Sequence, residues 1–345
     1  MRSRWIRTGC ITIGRVTALL ALGLSLAAIG PTHSERLDGF NVVATPGQPF
    51  GGEPAKRSLI AAKRLGATSV AVIPFLWQAS PSSADIGSGN DMSDDALRQA
   101  IRQARAQGFI VIVKPHIWVP QSWAGAVAPD SEPSWGIWFA RYRDELVHIG
   151  RIAAEEGADE FVIGTELTKT TQRSEWIGLI AAARAVFPRR LIYIAHNVEE
   201  AEAVPFWPLL DAIGVSLYPP LGADDDRAGR LLVMRAVADR LDALSLRLGK
   251  PIMVGEIGLR SAAGAAAKPW ESAEERVAAA DPKLQADVIG DWLAVLNRPS
   301  VHGVLIWRWL TDPAAGGPLD TDFTVQGKPA EAVLLCAWTA NCRRQ

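Results

Sequence analysis

From residue 39 onward, short runs rich in β-branched residues alternate with longer segments whose apolar residues recur at helical spacing. Eight runs predict strands: "GFNVVAT" (39 to 45), "SVAVIPFLW" (69 to 77), "FIVIVKPHIWV" (109 to 119), "EFVIGTEL" (160 to 167), "RLIYIAHN" (190 to 197), "AIGVSLYPP" (212 to 220), "PIMVGEIG" (251 to 258) and "VHGVLIWRW" (301 to 309). Helices are predicted between them over 54 to 65, 93 to 107, 135 to 156, 173 to 187, near 199 to 210, 228 to 248, 282 to 296 and near 329 to 338. Several of these end in glycine, as in "RLGA", "AQGF", "EEGA" and "RLGK", which fits a helix stop.

Repeated βα units imply a parallel sheet, and eight of them match a closed (β/α)₈ TIM barrel, an architecture that needs about 250 residues. The alternative is a doubly wound open sheet. That fold usually carries a glycine-rich phosphate turn after its first strand, and "ATPGQPFGGEP" contains no G-x-G-x-x-G. The longest connections, 78 to 92, 120 to 134 and 259 to 281, all follow strands, on the side where barrel enzymes build their sites. A single domain is expected over 36 to 345.

Residues 1 to 35 read as a targeting segment, because Arg2, Arg4 and Arg7 precede the apolar stretch "VTALLALGLSLAAIG". Export to the periplasm or the cell exterior is expected. Since "LAAIGPTHS" lacks a clean small-x-small triplet, the alternative is an uncleaved anchor that tethers the protein to the membrane through residues 11 to 30. Cys336 and Cys342 lie close enough in sequence to pair in an oxidising compartment, or are two thiols near the C-terminus.

The formal net charge of −1 gives no basic excess for a phosphate backbone, so nucleic acid is not an expected partner. Of thirteen tryptophans, against three tyrosines, many are expected in the core, and the excess of indole also suits stacking on flat apolar ligand faces.

In a barrel, the strand ends share one mouth. Here they bear Asn41, Trp77 and Gln78, His116 and Trp118, Glu166, His196 and Asn197, Tyr218, Glu256, and Trp307 and Trp309. Two carboxylates among amides, imidazoles and indoles are what a polyhydroxylated ring substrate requires. Retaining glycoside cleavage uses one carboxyl to protonate the leaving oxygen and a second, about 5 to 5.5 Å away, to attack the anomeric carbon. Glu166 and Glu256 each follow a buried run and a glycine, and strands four and seven end on opposing sides of the mouth. The bland alternative is that each glutamate merely pairs with a nearby Arg or Lys.

"GTEL", "GEIGLRS", "IWRW" and "GGPLDTDFTVQGKPAEAVL", with "GFNVVAT", "LGATSVAVIPFLWQ" and "VKPHIWV", resemble glycoside hydrolase family 113 over residues 38 to 335. The resemblance implies an endo-β-1,4-mannanase type of activity, with Glu166 as acid/base and Glu256 as nucleophile. Many members of the wider clan carry Asn before the acid/base. Here that residue is Thr165, so recognition of the sugar 2-hydroxyl does not carry over.

Tyr218 is expected to donate to Glu256 and keep it ionised, while apolar surroundings and repulsion from Glu256 hold Glu166 protonated. Trp307 is expected beneath the cleaved ring, Trp77 and Trp118 on neighbouring sugars, His116 on a hydroxyl or on Glu166, and Asn197 on a hydroxyl. His148 and His302 read as structural, and Asp320 and Asp322 as turn residues. No metal or other cofactor is expected, and the protein is expected to act as a monomer. A catalytically silent polysaccharide-binding barrel is the competing function, favoured if either carboxylate is buried in a salt bridge.

Overall fold

A computed structural model describes residues 36 to 89 and 92 to 339; the targeting segment and Cys342 lie outside the described residues. Eight parallel strands close into a barrel: β1 (Gly39–Val43), β2 (Ser69–Val72), β3 (Ile110–Val113), β4 (Glu160–Thr165), β5 (Arg190–His196), β6 (Ala212–Leu217), β7 (Ile252–Ile257) and β8 (Val301–Leu310), with β1 paired to both β2 and β8. Eight helices follow them in turn: α1 (Glu53–Arg64), α2 (Asp94–Ala106), α3 (Glu132–Glu155), α4 (Glu175–Val186), α5 (Asn197–Ala203), α6 (Arg227–Leu248), α7 (Pro282–Val295) and α8 (Ala330–Trp338). This is the expected (β/α)₈ TIM barrel.

Local sequence chemistry sets these boundaries. Ser93, Ser131, Asp226 and Asp281 each accept a bond from a backbone N–H in the first turn of α2, α3, α6 and α7. In α2, Leu97, Ala100, Ile101 and Ala104 fall on one face at helical spacing, and that face is buried.

The strands sort their side chains by parity. Ala71, Ile112, Val162, Ile192, Ile194, Met253 and Leu305 pack together inside the barrel, while neighbours such as Val70, Val72, Val111 and Val113 join the core beneath the helices.

Two predicted strands are each split in the structure. Proline lacks an amide hydrogen and cannot donate to a ladder, so β2 stops before Pro74 and β3 before Pro115. The chain resumes as Phe75–Gln78 and His116–Trp118, which pair in parallel and, with Ile86–Ser88, form a small sheet beyond the barrel. The predicted helix near 199 to 210 is the short α5 followed by a single turn at Trp207–Leu209. Cys336 is disulfide-bonded. Among the described residues no helix is long and apolar enough to cross a membrane.

Candidate active site

Glu256 belongs to β7, whose Met253 faces the barrel interior, and strict alternation would turn residue 256 outward. The pairing of β7 with β6 slips between Val254 and Glu256, and this bulge re-aims the carboxylate into the mouth. Gly255 makes the slip possible, since a Cβ there would lie 2.4 Å from Ile194 Cδ1.

A second slip, between Val162 and Thr165, precedes Glu166. There the glycine is Gly164, where a Cβ would lie 2.9 Å from both Trp176 and Tyr193. Glu166 itself has φ of 57°, and such left-handed backbone on a residue with a side chain is tolerated where the surroundings over-determine it. Here its N–H bonds Ile194 O at 2.7 Å, and the next N–H, of Leu167, bonds the Tyr193 hydroxyl at 2.9 Å.

The Glu256 carboxylate is held from two sides. The Lys114 ammonium contacts Oε1, and the Tyr218 hydroxyl donates to Oε2 at 3.0 Å. Lys114 also donates to Asn41 Oδ1 at 2.8 Å and lies 5.3 Å from the centre of the Trp307 ring. Asn41 Nδ2 donates to Gly255 O at 2.9 Å, so the cation and the bulge brace each other. Burial raises the Glu256 carboxyl, the Lys114 charge opposes it, the charge of Glu166 adds to the rise, and the hydrogen bonds from Lys114 and Tyr218 only partly offset it, so the carboxyl stays above its usual range. Lys114 is fully buried, and among the described residues its carboxylate partner is Glu256.

Glu166 differs from the expectation. Its surroundings are not simply apolar, because His196 Nδ1 lies 3.1 Å from Oε1. Burial raises this carboxyl, but the hydrogen bond from His196 and the charge that ring bears whenever it is protonated, with smaller effects from His116 and Lys114, outweigh burial and set it below its usual range.

Trp307 is half-buried at the mouth beside Lys114, as a ring floor requires. Trp77 and Trp118 are directly paired in the small sheet, with ring centres 6.0 Å apart and exposures of 43% and 49%. They form an outward rim. His116 is close enough to feel the charge of Glu166, but no hydrogen bond joins them. Its Nδ1 is buried without a partner, and burial, with the charge of Lys114, holds the ring neutral, down to about 4.

Each end of the Asn197 amide has a partner within the protein, which leaves one N–H and one oxygen lone pair for a sugar hydroxyl. Oδ1 accepts from Tyr218 N–H at 2.9 Å and Nδ2 meets His196 Nε2 at 3.1 Å. Trp309 is core, packed on Phe40 and donating to Ser58 Oγ at 2.7 Å. Asp320 and Asp322 hold the last loop, pairing with Lys328 and Arg308.

Sequence reasoning passed over Lys114, though a lysine closing an apolar strand carries the same signal that singled out Glu256. It also left His196 without a role and missed Trp123, whose ring lies 4.8 Å from that of His196.

Glu256 is buried and paired with Lys114, the outcome set above as favouring the binding barrel. That criterion is outweighed by the family membership given below.

No curated protein matches the chain. Among solved structures, a GH113 β-mannanase from Alicyclobacillus acidocaldarius in complex with ManMIm superposes with a TM-score of 0.77 at 23% identity, over 88% of this chain and 98% of that one, a likeness of fold. A GH113 β-1,4-mannanase, also solved as a complex, is 27% identical with a TM-score of 0.77, over 88% and 99% of the two chains. The sequence model of Glycoside Hydrolase Family 113 matches residues 39–328, and the chain belongs to that family of glycoside hydrolases.

Proposed function

We propose that the protein is a retaining hydrolase of β-1,4-linked, mannan-type polysaccharide, with Glu256 as nucleophile and Glu166 as acid/base. One observation carries this reading above the rest. Of the two strand-end glutamates, one is fixed at both oxygens by Lys114 and Tyr218, and the other is bonded at one oxygen, to His196. A nucleophile needs a fixed, charged carboxylate. An acid/base needs one whose proton can come and go.

In the first step Glu256 attacks the anomeric carbon while Glu166 protonates the departing glycosidic oxygen, leaving a glycosyl ester on Glu256. In the second, the Glu166 carboxylate takes a proton from water, the water attacks the anomeric carbon, and the ester breaks with the original β configuration restored. The neighbours of Glu166 favour its ionised form. A sugar over the Trp307 floor removes the remaining water from its 13% exposed side chain, and that desolvation moves the carboxyl up, toward the protonated form the first step uses.

The mannan-type substrate rests on the β-mannanase names of the similar structures, the closer of these two being 27% identical. Export is part of the same proposal and rests on the arginines and apolar run of residues 1 to 35.

Turnover of mannan, glucomannan, cellulose and bacterial exopolysaccharides by the wild-type protein tests the substrate, and Glu256→Gln tests the chemistry. The expected result is highest kcat/KM on mannan or glucomannan, with turnover abolished and sugar binding retained in the variant. Preference for cellulose would overturn the substrate, and an active Glu256→Gln protein would overturn the mechanism.

A further inference from the structure

Asn197 was expected to touch sugar, and each end of its carboxamide also has a partner within the protein, in a bond whose direction can be deduced. A peptide nitrogen can only donate, so the bond from Tyr218 N–H fixes which end of the amide is oxygen. Nδ2 therefore faces His196 Nε2, at 3.1 Å. An amide NH₂ offers no lone pair, so Nε2 must be the acceptor. The single proton of the imidazole then lies on Nδ1, which faces Glu166 Oε1 at 3.1 Å. Asn197 has φ of 55°, in the left-handed region where Asn is enriched among residues bearing a side chain.

We propose that Asn197 is a positioning residue that locks His196 as the neutral Nδ1–H tautomer, making His196 a donor to Glu166 that carries no charge. This rests on the reading of Glu166 as the acid/base.

The lock acts against strong neighbours. Glu166 at the end of β4, Glu200 on α5 and Glu256 on β7 all favour an imidazolium at His196 and outweigh its burial, so these charges by themselves raise the ring above its ordinary value. Glu200 is itself anchored, accepting from the Tyr193 hydroxyl at 2.6 Å, the His196 N–H at 2.9 Å and the Thr168 hydroxyl at 2.5 Å. From the β3 side, Lys114 and His116 face Glu166. The indole of Trp123 packs against the His196 ring.

A protonated His196 would point Nε2–H at the Asn197 NH₂, donor against donor, and that clash is what the three carboxylates would have to overcome. The consequence falls on Glu166. A full cation at this distance would strip its proton across the working range and remove the acid that the first step needs. A neutral N–H orients the carboxyl without doing so. The chain Tyr218, Asn197, His196 and Glu166 also ties the acid/base to the tyrosine that holds the nucleophile.

Asn197→Asp tests the lock with little change of shape. It keeps the acceptor for Tyr218 N–H and replaces the donor facing Nε2 with an acceptor, so an imidazolium becomes favourable. The expected result is that the basic limb of kcat/KM moves down by at least about one pH unit, roughly a tenfold loss on the alkaline side of the wild-type plateau. Nitrogen-15 NMR of the full-length wild-type protein, with the His196 signals assigned by their loss in His196→Gln, is expected to report the neutral Nδ1–H tautomer across that plateau.

An unchanged pH profile in Asn197→Asp would overturn the proposal. So would an imidazolium or an Nε2–H tautomer in the wild-type protein, a measurement that does not depend on any variant at position 197 folding. Full activity of Glu166→Gln would instead overturn the acid/base assignment, and the wild-type tautomer would still decide the lock.

Discussion

The Lys114 ammonium lies against Oε1 of Glu256 with its side chain wholly buried and that of Glu256 7% exposed. Charges so placed depend on each other, because neither can recruit water when its partner is lost. Lys114→Met is expected to raise the Glu256 carboxyl further, so that the nucleophile ionises only at higher pH and the acidic limb of kcat/KM moves up. Breaking such a pair also costs on the order of 3 to 5 kcal/mol of stability. Urea denaturation together with the pH profile checks both, and an unmoved acidic limb would show that Lys114 does not control Glu256.

Tyr218→Phe removes the donor to Oε2 and leaves the Lys114 contact intact. The lost bond to a charged acceptor corresponds to about 1.5 to 3 kcal/mol. The expected outcome is a fall in kcat of roughly 10- to 100-fold with little change in KM. Steady-state kinetics on one soluble oligosaccharide separates the two parameters, and a change confined to KM would mean that Tyr218 holds substrate instead.

The barrel and its two glutamates were legible because each depends on local pattern. Runs of β-branched residues set the strands, and a carboxylate closing an apolar run, as in "IMVGEIG", has no packing reason to be there. The breaks at Pro74 and Pro115 were present in the sequence but were read through, since "VAVIPFLW" keeps its apolar character across the proline. The protonation of Glu166 was misjudged for a different reason. It depends on His196, which β5 brings against β4, and sequence spacing gives no distance between side chains on two strands. The two committed ends of the Asn197 amide were illegible for the same reason, since one of them bonds a backbone nitrogen 21 residues away.

Trp77 and Trp118 present paired, exposed indoles on the small sheet. Replacing either with Ala is expected to raise KM for long polysaccharide about 3- to 10-fold, corresponding to stacking of about 0.5 to 1.5 kcal/mol. Values of kcat on a short oligosaccharide should stay unchanged. Equal losses on long and short substrates would place the pair at the reacting ring.

At the opposite end of β4, Glu160 Oε1 lies 3.2 Å from Arg190 while Oε2 is buried without a partner. Burial pushes this carboxyl up to about 7, from an ordinary value of 4.5 that the unfolded chain retains. The folded state therefore holds the proton more tightly. That contribution to stability is complete below about 4.5 and is lost as pH rises to about 7. Glu160→Gln is expected to remove this slope, on the order of 3 kcal/mol between pH 5 and 8. Denaturant midpoints of both proteins at the two pH values measure it, and parallel pH dependence would show that Glu160 does not titrate in this window.

The most direct test of the central claim is to trap the glycosyl ester. The protein is treated with a 2-deoxy-2-fluoro mannosyl donor bearing a good leaving group, and the modified residue is mapped by peptide mass spectrometry. The account predicts one added sugar per protein, carried by Glu256 and absent from Glu256→Gln. A label on Glu166 or any other residue, or release of the α-anomer first when hydrolysis of a β-linked substrate is followed by NMR, would contradict it.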